Sequence, residues 1–386
     1  MNNSATNGDL IDTLVPLKPG HLLYAVRHQR DKVVAATQGS YDAIFDPALA
    51  APTLAERLLA AWTISSMAGS TGLKAHYFKR LQSGPTLTAS QQAVLAGHEG
   101  QGDERLTAML TFTRLLTERP VDGDRDALLK LPAAGLDAAA TVALAQLIAF
   151  VAYQLRMVAG LQAMASLAAA SDDALKPEAD AAPFVHPASL PKPGQPVRIN
   201  GYTSETLDWK SWLPVLELDS ATPEQLAVLD SSHPKARSSD YYRLLAHQPR
   251  ILQERSTAFN AIMYAPGGLS RAERELASAA VSRVNGCVYC ASVHAQRFEQ
   301  LAKRNDVIVQ LFAEPTTAGT TSRERAVVQV AIVLTQSPAQ FSAIDLTAAQ
   351  AAGLTALEML DLVHATAIFA WANRLMLNLG EPVMPA

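Results

Sequence analysis

The segment Ala138 to Ala170, AAATVALAQLIAFVAYQLRMVAGLQAMASLAAA, is apolar all round, carries Arg156 as its only charge, and is long enough to cross a bilayer. Elsewhere apolar and polar positions alternate at helical spacing. In LSRAERELASAAVSRV, Ser270 stands as an N-cap with Glu273 three residues on, a capping box that predicts a helix from Arg271. Asn285 and Gly286 then stop it. The chain resumes as CVYCASVHAQRFEQLAKR, with Tyr289, Val293, Phe298 and Leu301 at helical spacing. Thr222 caps PEQLAVLDSS, and two more long helices are predicted over SRERAVVQVAIVLTQ and from Thr355 onward. Ala and Leu dominate while β-branched runs are sparse, so the expectation is an all-α protein.

The helical pattern is written twice. RHQR from Arg27 pairs with AHQPR from Ala246, and LAERLLAAWTISSMAGS from Leu54 with RAERELASAAVSRVNGC from Arg271. LLTERP ending at Pro120 pairs with VLTQSP ending at Pro338, AAGL at Ala133 with AAGL at Ala351, and FVAYQLRM from Phe150 with IFAWANRL from Ile368. Collinear agreement of this kind reads as a diverged tandem duplication. Between the copies lies a stretch rich in proline, acids and small residues, which suits a solvated connector. The expected organisation is therefore a domain over residues 1–170, a linker over 171–200 and a second domain over 201–386. The twin of the apolar segment carries Glu358, Asp361, His364 and Arg374, so Ala138 to Ala170 is expected to be a buried or interface helix rather than a membrane span.

Composition narrows the classes of function. The chain has 386 residues, 49% of them apolar and 6% aromatic, with a formal charge of −4 and no basic run interleaved with aromatics. That argues against nucleic-acid or anionic-membrane partners. MNNSATNGDL lacks a basic flank followed by an apolar stretch, so no secretion or transit signal is read there and the expected location is cytoplasmic. In a reducing compartment, a CxxC pair is redox-active or metal-binding more often than a permanent bridge.

Both cysteines of the chain lie in GCVYCASVH. With a helix opening after Gly286, Cys287, Cys290 and His294 fall on one face, and the helix N-terminus is expected to favour thiolate at Cys287. Glu275 sits on the preceding helix, and a helical hairpin across Asn285 and Gly286 would let it hold the His294 tautomer. A carboxylate, an imidazole and thiols in this order suit proton transfer during thiol chemistry. Two alternatives remain open: buried inert thiols, and zinc with Glu275 as a fourth ligand. Attached haem is excluded because Ala291, not His, follows Cys290. His364 reads as a hydrogen-bonded core residue, His28 and His247 as structural, Asn373 and Arg374 as orienting the final helix, and PGG at Pro266 as a turn.

Glu275, eleven intervening residues, CVYC and three residues to His294, with AERE before and NR at Asn373 and Arg374, resemble the alkylhydroperoxidase D-like branch of the carboxymuconolactone decarboxylase family. The resemblance covers about Leu207 to Glu381. It implies a helical fold, oligomeric assembly (a dimer or trimer of this tandem chain), and reduction of hydroperoxides without haem or flavin. By the same resemblance, peroxide attacks Cys290, Cys287 closes the disulfide, His294 and Glu275 relay protons, and a dithiol donor such as a lipoyl-protein or thioredoxin-like protein regenerates the pair. One departure is Tyr289, where the better-studied peroxidases carry His; it is assigned at most an accessory role. The decarboxylase branch lacks the cysteine pair. In the first copy Leu58, Ser70, Leu73 and Tyr77 occupy the four site positions, with His76 beside them, so that copy is expected to be degenerate. A non-enzymatic disulfide-relay adaptor or redox sensor is the alternative function.

Overall fold

A computed structural model describes residues 8–98, 103–170 and 190–385. The readings of the N-terminal seven residues and of the connector over 171–189 fall outside the described residues. The first half folds as α1 (Leu10–Leu14), α2 (Leu22–Arg27), α3 (Asp31–Ile44), α4 (Leu54–Met67), α5 (Thr71–Ser83), α6 (Ala89–Leu95), α7 (Glu104–Glu118), α8 (Arg125–Ala133) and α9 (Ala138–Ala170). The second half folds as α10 (Pro223–Ser232), α11 (Asp240–Leu245), α12 (Pro249–Met263), α13 (Arg271–Val284), α14 (Val288–Ala302), α15 (Asp306–Ala313), α16 (Ser322–Gln336), α17 (Ala343–Ala351) and α18 (Ala356–Asn378). From α3 and α12 onward the two series match helix for helix. The duplication read in the sequence is thus a repeated helix order.

Local signals account for the boundaries. Capping boxes open α10 at Thr222, α13 at Ser270 and α18 at Thr355. Gly286, at φ +78°, ends the α13 turn, where any Cβ would meet Val121 at 2.8 Å. Among the described residues the all-α expectation is amended by two short ribbons, which hydrophobic periodicity is too coarse to reveal. In the first, β1 (Arg198–Ile199) pairs with β2 (Tyr202–Thr203); in the second, β3 (Asp208–Ser211) pairs antiparallel with β4 (Gly380–Val383). Paired structure therefore begins inside the segment assigned to the linker. The β3–β4 ribbon carries Trp209, whose Nε1 donates to the Met376 carbonyl at 3.0 Å, and so ties the entry of the second half to the end of α18.

The halves share one hydrophobic core. Its spine is the contact between α9 and α18. A Cβ at Gly160 would lie 2.5 Å from Val363, so the glycine sets how closely these helices approach. Trp371 donates to Gln146 at 2.8 Å across the same contact and stacks edge-on with Phe150. The helix α9 is long and apolar enough to cross a membrane by length and composition, but 89% of an 18-residue apolar stretch within it is buried inside the protein. Its apolar surface is thus covered by α18 of the other half together with the helices of its own half, α4 foremost.

A charged bolt crosses the same junction. Asp361 on α18, 2% exposed, accepts from Arg30 of the first half at 2.8 and 2.7 Å and from Arg274 of α13 at 2.7 Å. Arg30 also donates to the Pro266 and Gly267 carbonyls, and Arg274 to those of Ala265 and Gly267. PGG is thus the turn expected, with Gly267 and Gly268 both at positive φ. A Cβ at Gly268 would fall 2.1 Å from the Asp361 carboxylate. Replacing Asp361 with Asn leaves two buried guanidinium groups without their carboxylate. The expected cost is about 3–5 kcal/mol, read from urea denaturation, and a loss below about 1 kcal/mol would mean that the junction does not depend on this charge.

Candidate active site

The turn Asn285–Cys287 joins α13 and α14 into a packed helical pair, the arrangement on which an approach of Glu275 to His294 depends. Cys287 is the N-cap of α14, one place earlier than a first-turn residue, and Cys290 lies in its first turn. Their sulfurs are 2.8 Å apart and unbonded, and the residues are 1% and 4% exposed. One turn on, His294 Nδ1 meets the Glu275 carboxylate. The His294 ring also packs edge-on against Phe369 of α18 at 4.3 Å.

Glu275 is fully buried. Burial alone would keep it protonated, but Arg271, then His294, outweigh that and hold its pKa down to about 2. Arg271 Nε donates to the carboxylate at 2.6 Å and Nη1 to the Met263 carbonyl at 2.9 Å, while the guanidinium lies 4.2 Å from the Tyr264 ring centre. An ionised Glu275 accepting from Nδ1 places the imidazole proton there and leaves Nε2 to exchange protons. The sequence reading passed over Arg271, although its position four residues before Glu275 on one helix is the spacing of an ion pair.

The expectation that the helix N-terminus makes Cys287 a thiolate is corrected. Burial, then the hydrogen bond with Cys290, pushes the Cys287 thiol well above its usual range. A helix dipole acts within a turn, and here desolvation outweighs it. Tyr289 is pushed up to about 12, by burial first and then by Cys290, so it can donate a hydrogen bond but does not titrate near neutrality.

A cavity of about 600 Å³ reaches the site, lined by Cys290, His294, Glu275 and Tyr289 but not by Cys287. Its other walls come from α11, α12, α18 and the β3–β4 ribbon. Tyr241 and Arg255 stand in it without having been singled out in the sequence, because only tertiary packing brings α11 and α12 to the thiols. A second cleft of about 640 Å³ lies between the halves and touches Arg156 and Arg374. These two are consumed by helix ends: Arg156 donates to the Ala152 and Thr335 carbonyls, Arg374 to those of Leu116 and Ala370. Asn373 joins Asn285 to Ser282 at 3.0 Å each, bracing the turn that precedes Cys287.

The corresponding positions of the first half are packed shut. Ser70 is the N-cap of α5, as Cys287 is of α14, while Leu58, Leu73 and Tyr77 are at most 1% exposed. Tyr77 donates to Gln154, and its neighbour His76 meets Tyr41 at 2.7 Å. Of the remaining histidines, His28 pairs with Asp12 at 2.9 Å and His247 with the Pro214 carbonyl at 3.0 Å. His364 is buried as expected, yet its Nδ1 finds no partner, and burial depresses its pKa to about 3. It is a neutral core residue without the hydrogen bond expected at that nitrogen.

A depressed carboxylate stabilises the fold above its unfolded pKa, near 4.5, and that contribution is lost as pH falls towards about 2. Urea midpoints measured from pH 6 to pH 2 should therefore fall more steeply for the wild type than for Glu275→Gln over this window. Parallel curves would show that Glu275 is not held ionised.

Residues 249–333 match the carboxymuconolactone decarboxylase family model. The crystal structure of an alkylhydroperoxidase AhpD core, an uncharacterized peroxidase-related protein from Ralstonia eutropha JMP134, is similar at 24% identity, covering 44% of this chain and 98% of that one with a TM-score of 0.38. No curated protein matches the sequence. The matched segment begins with α12, ends within α16, and contains Glu275, both cysteines and His294. Through this segment, the helical second half of the chain is similar to the carboxymuconolactone decarboxylase family.

Proposed function

We propose that this protein is a thiol-dependent peroxidase that reduces hydrogen peroxide or organic hydroperoxides. The observation that carries the reading is one cavity in which the Cys290 thiol opens beside an imidazole held by a buried, ionised carboxylate. His294 takes the Cys290 proton through Nε2 and becomes an imidazolium that Glu275 stabilises. The Cys290 thiolate attacks the distal peroxide oxygen and the O–O bond breaks. The departing alkoxide, or hydroxide from hydrogen peroxide, takes the proton back from His294, leaving Cys290 as a sulfenic acid. Cys287 then attacks the Cys290 sulfur and water leaves, so two electrons from the pair have reduced the peroxide. A dithiol of the lipoyl or thioredoxin-like class restores both thiols by exchange and is itself oxidised to a disulfide. The first half serves as a scaffold without a site of its own.

Purified protein supplied with dihydrolipoamide should consume hydrogen peroxide or cumene hydroperoxide. Cys290→Ser should abolish turnover, and His294→Gln or Glu275→Gln should lower kcat/KM by about 10²-fold or more. Cys287→Ser should stop at a sulfenic acid trapped by dimedone on Cys290. Thiols that cycle with the donor while no peroxide is consumed would replace the peroxidase with a disulfide-relay role.

A further inference from the structure

The cavity that meets Cys290 is larger than hydrogen peroxide needs, and its lining is not neutral. Arg255 on α12 is 4% exposed and its guanidinium bonds the Tyr242 hydroxyl, yet among the described residues it forms no ion pair, and its Nε has no hydrogen-bond partner. The guanidinium lies 5.5 Å from the Tyr241 ring centre and 5.2 Å from that of Phe259. Tyr241 is 3% exposed, and its hydroxyl is likewise without a partner. Burying a cation and a phenol without filling their hydrogen bonds is costly unless something completes them. Two arginines on the neighbouring helix α13 are each matched by a carboxylate: half-buried Arg271 by Glu275, and buried Arg274 by Asp361. The carboxylates that also line the cavity do not reach Arg255; Asp208 is exposed and Asp240 half-buried, both without a salt bridge to it. The walls of the same cavity also carry the apolar side chains of Trp209, Phe259, Phe369 and Met376.

We infer that the cavity binds an organic acid, its carboxylate on Arg255 and the Tyr241 hydroxyl and its apolar body along the aromatic wall, so that the substrate is a carboxylate-bearing organic hydroperoxide. The substrate half of this statement rests on the peroxidase reading; the binding half does not. A planar carboxylate suits the guanidinium fork, and the dry surroundings make that pairing selective against neutral analogues. The first half has no equivalent. Counted from the first residue of each helix, the α3 position that matches Arg255 of α12 is Thr37, which bonds Tyr153 at 2.8 Å.

Binding of 3-phenylpropanoate and of its neutral amide, followed by Trp209 fluorescence and by protection of Cys290 from alkylation, tests the inference without any turnover. The acid should bind at least tenfold more tightly than the amide. That preference should vanish in Arg255→Gln, return in part in Arg255→Lys, and shrink in Tyr241→Phe, which removes a single hydroxyl and keeps the ring. Equal binding of acid and amide, or an acid preference that survives Arg255→Gln in protein of native circular dichroism, would overturn it. If Arg255→Gln does not fold, an unchanged preference in Tyr241→Phe and Arg255→Lys does the same. In turnover, the ratio of kcat/KM for 4-carboxy-cumene hydroperoxide over cumene hydroperoxide should fall at least tenfold in Arg255→Gln. Absence of all peroxide consumption alongside selective acid binding would sink the peroxidase reading and leave the binding site standing.

Discussion

Glu275 is a charge with no access to water, and the site is arranged around keeping it ionised. An isolated buried carboxylate would protonate, and a neutral Glu275 would lose the acceptor strength that fixes the His294 tautomer. The guanidinium of Arg271, one turn earlier on α13, removes that option, and is itself held by the Met263 carbonyl and the face of Tyr264. The ion pair lies within one helix, so it needs no other element to form. His294 needs the turn at Gly286 to bring α14 alongside, and this is why a positive-φ glycine, braced by Asn285 and Asn373, stands immediately before the first cysteine.

Duplication supplies the environment that this charge requires. A helix as apolar as α9 cannot face water, and α18, carrying the polar residues of the junction, covers it. The exchange is reciprocal: Arg156 of the first half ends α16, and Arg374 of the second half ends α7. Each copy thus finishes a helix of the other. A site in the second half then rests on a core built by both, while the first half is free to fill its own site positions with Leu58, Leu73 and Tyr77.

Much of this was legible in the sequence because it is local. Capping boxes at Thr222, Ser270 and Thr355, the stop at Gly286 and the pairing of Glu275 with His294 all follow from spacing along one or two adjoining helices. What was missed depends on packing. The short ribbons are set by pairing between residues far apart in sequence, as Asp208 with Val383. Arg255 and Tyr241 reach the cavity from helices that precede the motif, and nothing in their immediate neighbours marks them. The expected thiolate at Cys287 failed for a related reason: a helix N-terminus can be read from sequence, whereas the desolvation that outweighs it requires knowing what lies above the sulfur.

That desolvation divides the labour between the two sulfurs on the peroxidase reading. Cys290 touches the cavity and Cys287 does not, so an incoming peroxide meets Cys290 first, and a buried thiol of high pKa waits beside it. The same asymmetry works against regeneration. A donor entering by the cavity attacks the cavity-lining Cys290 sulfur of the disulfide and must expel Cys287, and a thiol of raised pKa leaves slowly. Reduction of the disulfide is then slowed unless a proton reaches the Cys287 sulfur as it departs. The cavity-lining imidazole of His294 can supply one, having taken it from the donor thiol as that thiol attacks, whereas Cys290 is then bonded to the donor sulfur and has none to give. On the peroxidase reading, a relay that activates Cys290 in one direction thus also serves the release of Cys287 in the other, and only while Glu275 remains charged.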